Sequence, residues 1–207
     1  MKPNDISVDR DGMFAGDDPF VIVRTWLSEA QETELNDANA MALATVDGDG
    51  LPNVRMVLLK DIREDAFVFF TNYTSQKAAE LETRKKAAAV LHWKSLRRQI
   101  RFRGTVARVD RAESDIYFET RSVFSRIGAW ASDQSSPLTR RSKLEARMAE
   151  LKNKLGDNPG CPPFWGGYII TPLEIEFWCD GEARLHDRFR WTKTNTEGAW
   201  DVVRLNP

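Results

Sequence analysis

The chain has 207 residues, 42% of them hydrophobic, which is enough for one sizeable core and makes a single domain the default. Its 30 Lys+Arg stand against 31 Asp+Glu, so no net basic field exists to hold nucleic acid, and such a partner would need a local patch. Cys161 and Cys179 are too few for a disulfide framework or a structural zinc site, and no apolar leader or long apolar span is present; a soluble, reduced, cytoplasmic protein with no membrane partner is expected.

Residues 1–19 are polar, carry Pro3, Gly12, Gly16 and Pro19 without periodicity, and read as a flexible N-terminal tail ahead of one domain over 20–207. From 20 to about 36, Phe20, Val23, Trp26, Leu27 and Ala30 recur at helical spacing and predict an amphipathic helix with a core-facing stripe. Residues 41–46, the turn Asp47-Gly48-Asp49-Gly50 and residues 51–60 read as strand, turn, strand; 65–72 is a third strand. A helix follows from Gln76 to about Arg84 with a serine or threonine cap, then strands over 87–93 and 98–109. Asp110 and Glu113 have the form of a capping box and open a helix through roughly Arg121; a second helix spans about 139–155. A Pro/Gly loop covers 159–167, and three strands end the chain at Leu205. Strands joined by hairpins dominate, which fits an antiparallel barrel with a few packed helices.

Several constellations carry chemical potential. Arg55 and Lys60 flank an apolar run, and Thr71, Ser75, Gln76 and Lys77 gather at a strand end and a helix start, where free amides and a lysine suit a phosphate, although capping serines are common there. Tyr117, Arg121 and Ser125 align on one stripe if their helix persists, a phosphate-binding set or an ordinary polar face. Gln99, in the basic strand Arg97-Arg98-Gln99-Ile100-Arg101-Phe102-Arg103, is suited to a heterocyclic edge, and Gln134-Ser135 lie in a polar turn after Trp130. The Asp180-Gly181 pair predicts a hairpin turn, and on the strand after it Arg184, His186 and Arg188 share one face, as an anion site or as a charged edge. Neither histidine has the partners of a serine hydrolase, and no metal-ligand spacing occurs.

Taken in order from Trp26 to Pro207, these pieces resemble the pyridoxine/pyridoxamine 5′-phosphate oxidase family. The carrying residues include Arg55-Met56-Val57-Leu58-Leu59-Lys60, Phe70-Thr71-Asn72, Ser75-Gln76-Lys77-Ala78, Arg98-Gln99, Tyr117-Phe118 with Arg121, and Ile127-Gly128-Ala129-Trp130. Further along come Gln134-Ser135, Phe164-Trp165-Gly166-Gly167, Glu176-Phe177-Trp178, Arg184-Leu185-His186-Asp187-Arg188 and Arg204-Leu205-Asn206-Pro207.

The resemblance implies a mainly β (α+β) fold, an antiparallel split β-barrel with peripheral helices, and a homodimer with FMN at its interface. It assigns the FMN phosphate to Arg55, Lys77 and nearby hydroxyls, and the ring edge to Gln99, Gln134, Ser135, Trp178 and Arg188. Met56, Val57, Leu58, Leu59, Lys60, Phe70, Thr71, Ser75 and Gln76 complete the cofactor set. Lys60, Tyr117, Arg121 and Ser125 would hold the phosphate of a phosphorylated pyridine, with Arg184 and His186 as substrate-binding and catalytic groups at the reacting side. The implied reaction moves a hydride from substrate C4′ to the flavin, yields pyridoxal 5′-phosphate, and returns the electrons to O2 as H2O2. Gln76 stands where arginine is usual, Ser122-Val123-Phe124 and Arg126 replace a Pro/Gly-containing stretch, and Cys179-Asp180 replaces glutamine and glycine. The N-terminal segment lacks the Arg-Arg-Glu-Tyr-like stretch that covers substrate in related enzymes. A flavin oxidase of the phenazine-biosynthesis type and a non-catalytic FMN or pyridoxal phosphate binder are the alternatives.

Overall fold

The structure is a computed structural model and describes residues 10–194 and 198–207. Helix α1 (Pro19–Thr33) starts where Asp18 accepts a hydrogen bond from the Phe20 amide and Pro19 fills the first turn, a position that needs no N–H donor. Phe20, Val23, Trp26 and Ala30 are buried as the periodicity predicts, Leu27 is half-buried, and Ile22 joins the buried face. The strands are β1 (Ala40–Val46), β2 (Pro52–Leu58), β3 (Asp61–Ile62), β4 (Phe67–Asn72), β5 (Lys86–Trp93), β6 (Arg98–Arg108), β7 (Trp165–Cys179), β8 (Asp187–Lys193) and β9 (Trp200–Arg204). Helices α2 (Gln76–Arg84), α3 (Arg111–Glu119), α4 (Val123–Ala131) and α5 (Arg141–Leu155) complete the fold.

All strand pairings are antiparallel, in the order β2-β1-β5-β6-β7-β4-β3. The long β7 pairs with β6 on one edge; on the other it pairs first with β4, through residues 165–170, and then with β8, through 174–179. That forked edge is where the barrel splits. Inward residues alternate along β6, with Ile100 and Phe102 buried and Arg101 and Arg103 exposed, and Phe102 stacks on Phe67 in the core. At Gly104 the β6–β7 register shifts, and a Cβ there would lie 2.0 Å from the Thr171 carbonyl oxygen, so only glycine permits the strands to approach.

Three expectations are corrected. The N-terminal tail is not free along its described part: Phe14, in a 3-10 turn over Gly12–Phe14, is 7% exposed and packs on Trp26 and Phe189, while Pro19 belongs to α1; residues 1–9 lie outside the described ones. The helix expected to run from Asp110 to Arg121 ends at Glu119, because the Ser122 side chain accepts from the Ser125 amide and caps a new helix, α4. Tyr117, Arg121 and Ser125 therefore do not share one helical stripe. Only half of the capping box forms: Asp110 accepts from the Ala112 amide, but Glu113 pairs with Arg63.

The third correction concerns the C-terminal hairpin. Residues Glu182–Arg184 form a 3-10 turn with Ala183 and Arg184 at φ of 52° and 65°, and β8 begins only at Asp187. The Leu185 amide donates to the Glu182 carbonyl at 2.9 Å, and a Cβ on Gly181 would sit 2.0 Å from the Leu185 carbonyl oxygen. The chain folds back tightly on itself, so Arg184 and His186 project from a loop and strand alternation does not relate them to Arg188.

Candidate functional site

A cavity of about 720 Å³, within the usual range for small-molecule sites, opens between β2, the end of β4, and helices α2 to α4. Met56, Val57, Leu58 and Lys60 form one wall; Phe70, Thr71 and Lys77 lie at the β4–α2 junction; Tyr117, Arg121 and Ser125 come from the α3–α4 corner, and Gln134 closes the loop after α4. The helix break thus brings together the triad that a continuous helix was expected to align.

Lys77 is 8% exposed, and its Nζ donates to Gln134 Oε1 at 2.7 Å, Ser75 Oγ at 3.2 Å and Thr71 Oγ1 at 3.3 Å. Burial, reinforced by the nearby Arg55 charge, pushes its pKa down to about 8. A buried ammonium facing only neutral oxygens gains from an anion in the cavity. The start of α2 beside it adds the positive end of a helix dipole.

Arg121 is held by rings: its guanidinium carbon lies 4.7 Å from the Trp165 ring centroid and 5.4 Å from that of Phe118. Trp165 in turn lies parallel to Tyr117 and Phe70, with Phe70 and Tyr117 centroids 3.9 Å apart. Arg121 Nη1 is buried without a hydrogen-bond partner, and burial lowers its proton affinity while raising that of the Tyr117 phenol. An oriented guanidinium with an unused buried donor, beside Lys60, Tyr117 and Ser125, is built for an anionic group such as a phosphate.

The remaining expected residues lie elsewhere. Leu59 is 3% exposed and turned into the core, and Ser75 is fully buried with its Oγ donating to the Asn72 carbonyl. Gln76 is exposed, and its amide donates to Ser135 Oγ at 3.2 Å. Arg55 sits behind the cavity wall, bound to Glu80 and Thr45. Gln99, Trp178 and Arg188 are cross-strand neighbours on β6, β7 and β8, away from this cavity. Gln99 borders a second cavity of about 450 Å³, which shares Met56 with the first. Arg188 donates to Glu176 Oε1 at 2.8 and 3.0 Å and to the Asn206 carbonyl. The His186 ring lies against Trp178, and its Nδ1 accepts from the Gly181 amide at 3.2 Å with Asp180 Oδ1 at 3.3 Å.

Trp165, Phe124 and Met148 also line the cavity but had no assigned site role, and Glu80 went unnoticed. A tryptophan after a Pro/Gly loop gives no local sign of stacking under an arginine. Among the described residues no group of three or more His, Cys, Asp or Glu could hold a metal, and no helix is long and apolar enough to cross a membrane.

The pyridoxamine 5′-phosphate oxidase profile matches residues 27–154, and the pyridoxine 5′-phosphate oxidase C-terminal dimerisation region matches 165–207. The chain belongs to the pyridoxine/pyridoxamine 5′-phosphate oxidase family. Within that family, the pyridoxine/pyridoxamine 5′-phosphate oxidase of Cereibacter sphaeroides is 61% identical over 97% of this chain and all of its own length. That of Brucella abortus is 51% identical over the full length of both. Among solved structures, PhzG from Burkholderia lata in complex with tetrahydrophenazine-1-carboxylic acid superposes with a TM-score of 0.87 at 32% identity, covering 93% of this chain and 94% of that one. A pyridoxamine 5′-phosphate oxidase-related, FMN binding protein from Nostoc punctiforme gives 0.75 at 17% identity over 93% of this chain and all of that one, a likeness of fold. These matches agree with the split barrel, and the match to a dimerisation region over residues 165–207, the part of the chain that holds β7 to β9, supports a homodimer.

Proposed function

We propose that this chain is an FMN-dependent oxidase that converts pyridoxine 5′-phosphate and pyridoxamine 5′-phosphate to pyridoxal 5′-phosphate, with O2 as acceptor and H2O2 as by-product. The observation that carries this reading is the pairing, in one cavity, of two anion-seeking groups: Lys77 at the α2 start and Arg121 with its unused donor. A flavin mononucleotide and a phosphorylated pyridine each bring one phosphate. Full-length identity of 61% to a pyridoxine/pyridoxamine 5′-phosphate oxidase, against 32% to PhzG, favours vitamin B6 phosphates over a phenazine precursor.

In this reading Lys77, Arg55 and the Ser75 and Thr71 hydroxyls take the FMN phosphate, while Lys60, Tyr117, Arg121 and Ser125 take that of the substrate. FMN, when bound, supplies the redox chemistry, accepting hydride from C4′ and passing its electrons to O2. The protein's part is orientation: the Phe70–Tyr117–Trp165 stack holds Arg121 in a fixed direction, and an immobilised phosphate restricts where C4′ sits. Gln99, Trp178, Arg184, His186 and Arg188 line no part of this cavity, so they reach it from the partner subunit. Exposed Val54, Met56 and Leu58 on β2, at 64%, 62% and 36%, are the apolar rim that such a partner would cover. FMN then lies between the subunits, and Arg184 and His186 meet the pyridine ring from across the interface.

The test is to reconstitute the purified protein with FMN and follow peroxide release with each B6 phosphate. Turnover with either supports the assignment. A protein that takes up no FMN contradicts every flavin reading, and FMN binding without turnover would leave the phenazine-type or binding-protein alternatives.

A further inference from the structure

Glu80 places a buried carboxylate beside the cations of the cofactor-phosphate site. It lies three residues after Lys77 on α2, is 5% exposed, and uses both oxygens: Oε2 accepts from the Thr45 hydroxyl and from Arg55 Nη2 at 3.0 Å, and Oε1 from Asn53 Nδ2 at 3.1 Å. Arg55 is further pinned through Nη1 to Thr45 Oγ1 and to the Leu43 carbonyl at 3.3 Å. Burial pushes the proton affinity of Glu80 up, but Thr45, Asn53 and Arg55 outweigh it and hold the carboxyl below the ordinary glutamate range.

The charged groups that act on Lys77 are Arg55 from β2, which disfavours its protonation, and Glu80 from its own helix, which favours it; Thr71, Ser75 and Gln134 are neutral. Arg55, paired with Glu80, and the buried Lys77, one helical turn before Glu80 on α2, place two cations around one carboxylate, which serves as their fixed counter-charge when no phosphate is bound. We propose that Glu80 is a positioning residue for the FMN phosphate: it fixes the Arg55 guanidinium across β1, β2 and α2 and supplies a fixed negative charge one helical turn from Lys77. This rests on the assignment of those two cations to the FMN phosphate.

Glu80→Gln keeps the shape and one acceptor but removes the charge. FMN affinity of the apo protein, followed by quenching of flavin fluorescence, is expected to fall about tenfold or more at neutral pH, and the pH above which binding weakens should move lower than in the wild type. Glu80→Asp keeps the charge with a shorter reach, so it should restore the wild-type pH midpoint while still binding FMN less tightly. If Glu80→Gln does not fold, the aspartate variant carries the test by that combination. Unchanged or tighter FMN binding overturns the proposal, because Glu80 would then only repel the phosphate, and so does a lowered melting temperature with an unmoved pH midpoint. Arg55→Ala and Lys77→Ala separate the two claims. If neither weakens FMN, the phosphate-site assignment fails; if both do and Glu80→Gln does not, only the role of Glu80 fails.

Discussion

The Lys77 ammonium is the buried charge whose titration the cavity changes most. With its pKa pushed down to about 8 from 10.5, the unfolded chain binds this proton more tightly than the folded one, so the apo protein should gain stability as pH rises from about 8 towards 10.5. Denaturant melts of the apo protein across that window check the sign, and Lys77→Met should remove this contribution. FMN phosphate should draw a proton onto Lys77 above about pH 8, which calorimetry in buffers of different ionisation heat would detect as proton uptake. Arg121 affects the other ligand: Arg121→Ala should raise the KM for pyridoxine 5′-phosphate roughly 10- to 100-fold, the worth of about 1.5–3 kcal/mol for a charged hydrogen bond, with FMN affinity unchanged. Loss of FMN instead would show the two phosphate sites exchanged. Tyr117, Arg121 and Ser125 read in the sequence as either a phosphate-binding set or an ordinary polar face, and Lys60 joined them only through the family resemblance; the structure brings all four to one cavity lining. Glu80 was not, since a glutamate inside a helix gives no local sign that its partners come from a hairpin more than 20 residues earlier.

Of the elements that departed from expectation, two bear on the site. Alternation around an Asp-Gly pair implies a two-residue turn, but the chain instead spends residues 180–186 on a loop that holds a 3-10 turn over Glu182–Arg184 with two left-handed residues. Gly181 lets the two ends of that loop approach, since a Cβ there would lie 2.0 Å from the Leu185 carbonyl oxygen. Gly181→Ala should push the loop away from the Leu185 carbonyl, and kcat/KM should fall at least tenfold while FMN is retained, because a misplaced Arg184 or His186 loses orientation rather than binding. Parallel steady-state kinetics and flavin titration decide this, and a loss of FMN in step with activity would place the loop in cofactor binding. The second departure, the break at Ser122, has no proline or glycine to announce it: a single serine side chain caps the new helix in competition with continuation of the old one. The buried faces of α1 and β6 were readable because alternation and helical periodicity are set by burial on one side alone, whereas the strand order, which pairs β1 with β5 and β4 with β7, depends on contacts between distant segments that no local pattern carries.

At the scale of the whole molecule, the described part of the N-terminal segment is tied to the barrel by the buried Phe14 ring, with the Arg10 guanidinium 5.4 Å from the Trp191 ring centroid as a second contact. Phe14→Ala should cost about 3–5 kcal/mol if the Trp26 and Phe189 contacts are as described, and a melt that barely moves would mean the segment is loosely held. A single phenylalanine among polar and glycine residues has no periodicity, which is why that anchor was not foreseen. The dimer is a different matter: the residues expected at one flavin fall into two groups, the cavity set and the set around the β6–β8 end, and one chain does not bring both to one cavity. Assembly from two subunits is therefore the central claim. Mixing Arg121→Ala with Arg184→Ala protein under conditions that exchange subunits tests it most directly. If each site takes Arg121 from one chain and Arg184 from the other, half of the dimers are mixed and each has one intact site, so about a quarter of wild-type peroxide release should return. Activity of the mixture no higher than that of the separate variants would contradict the shared site.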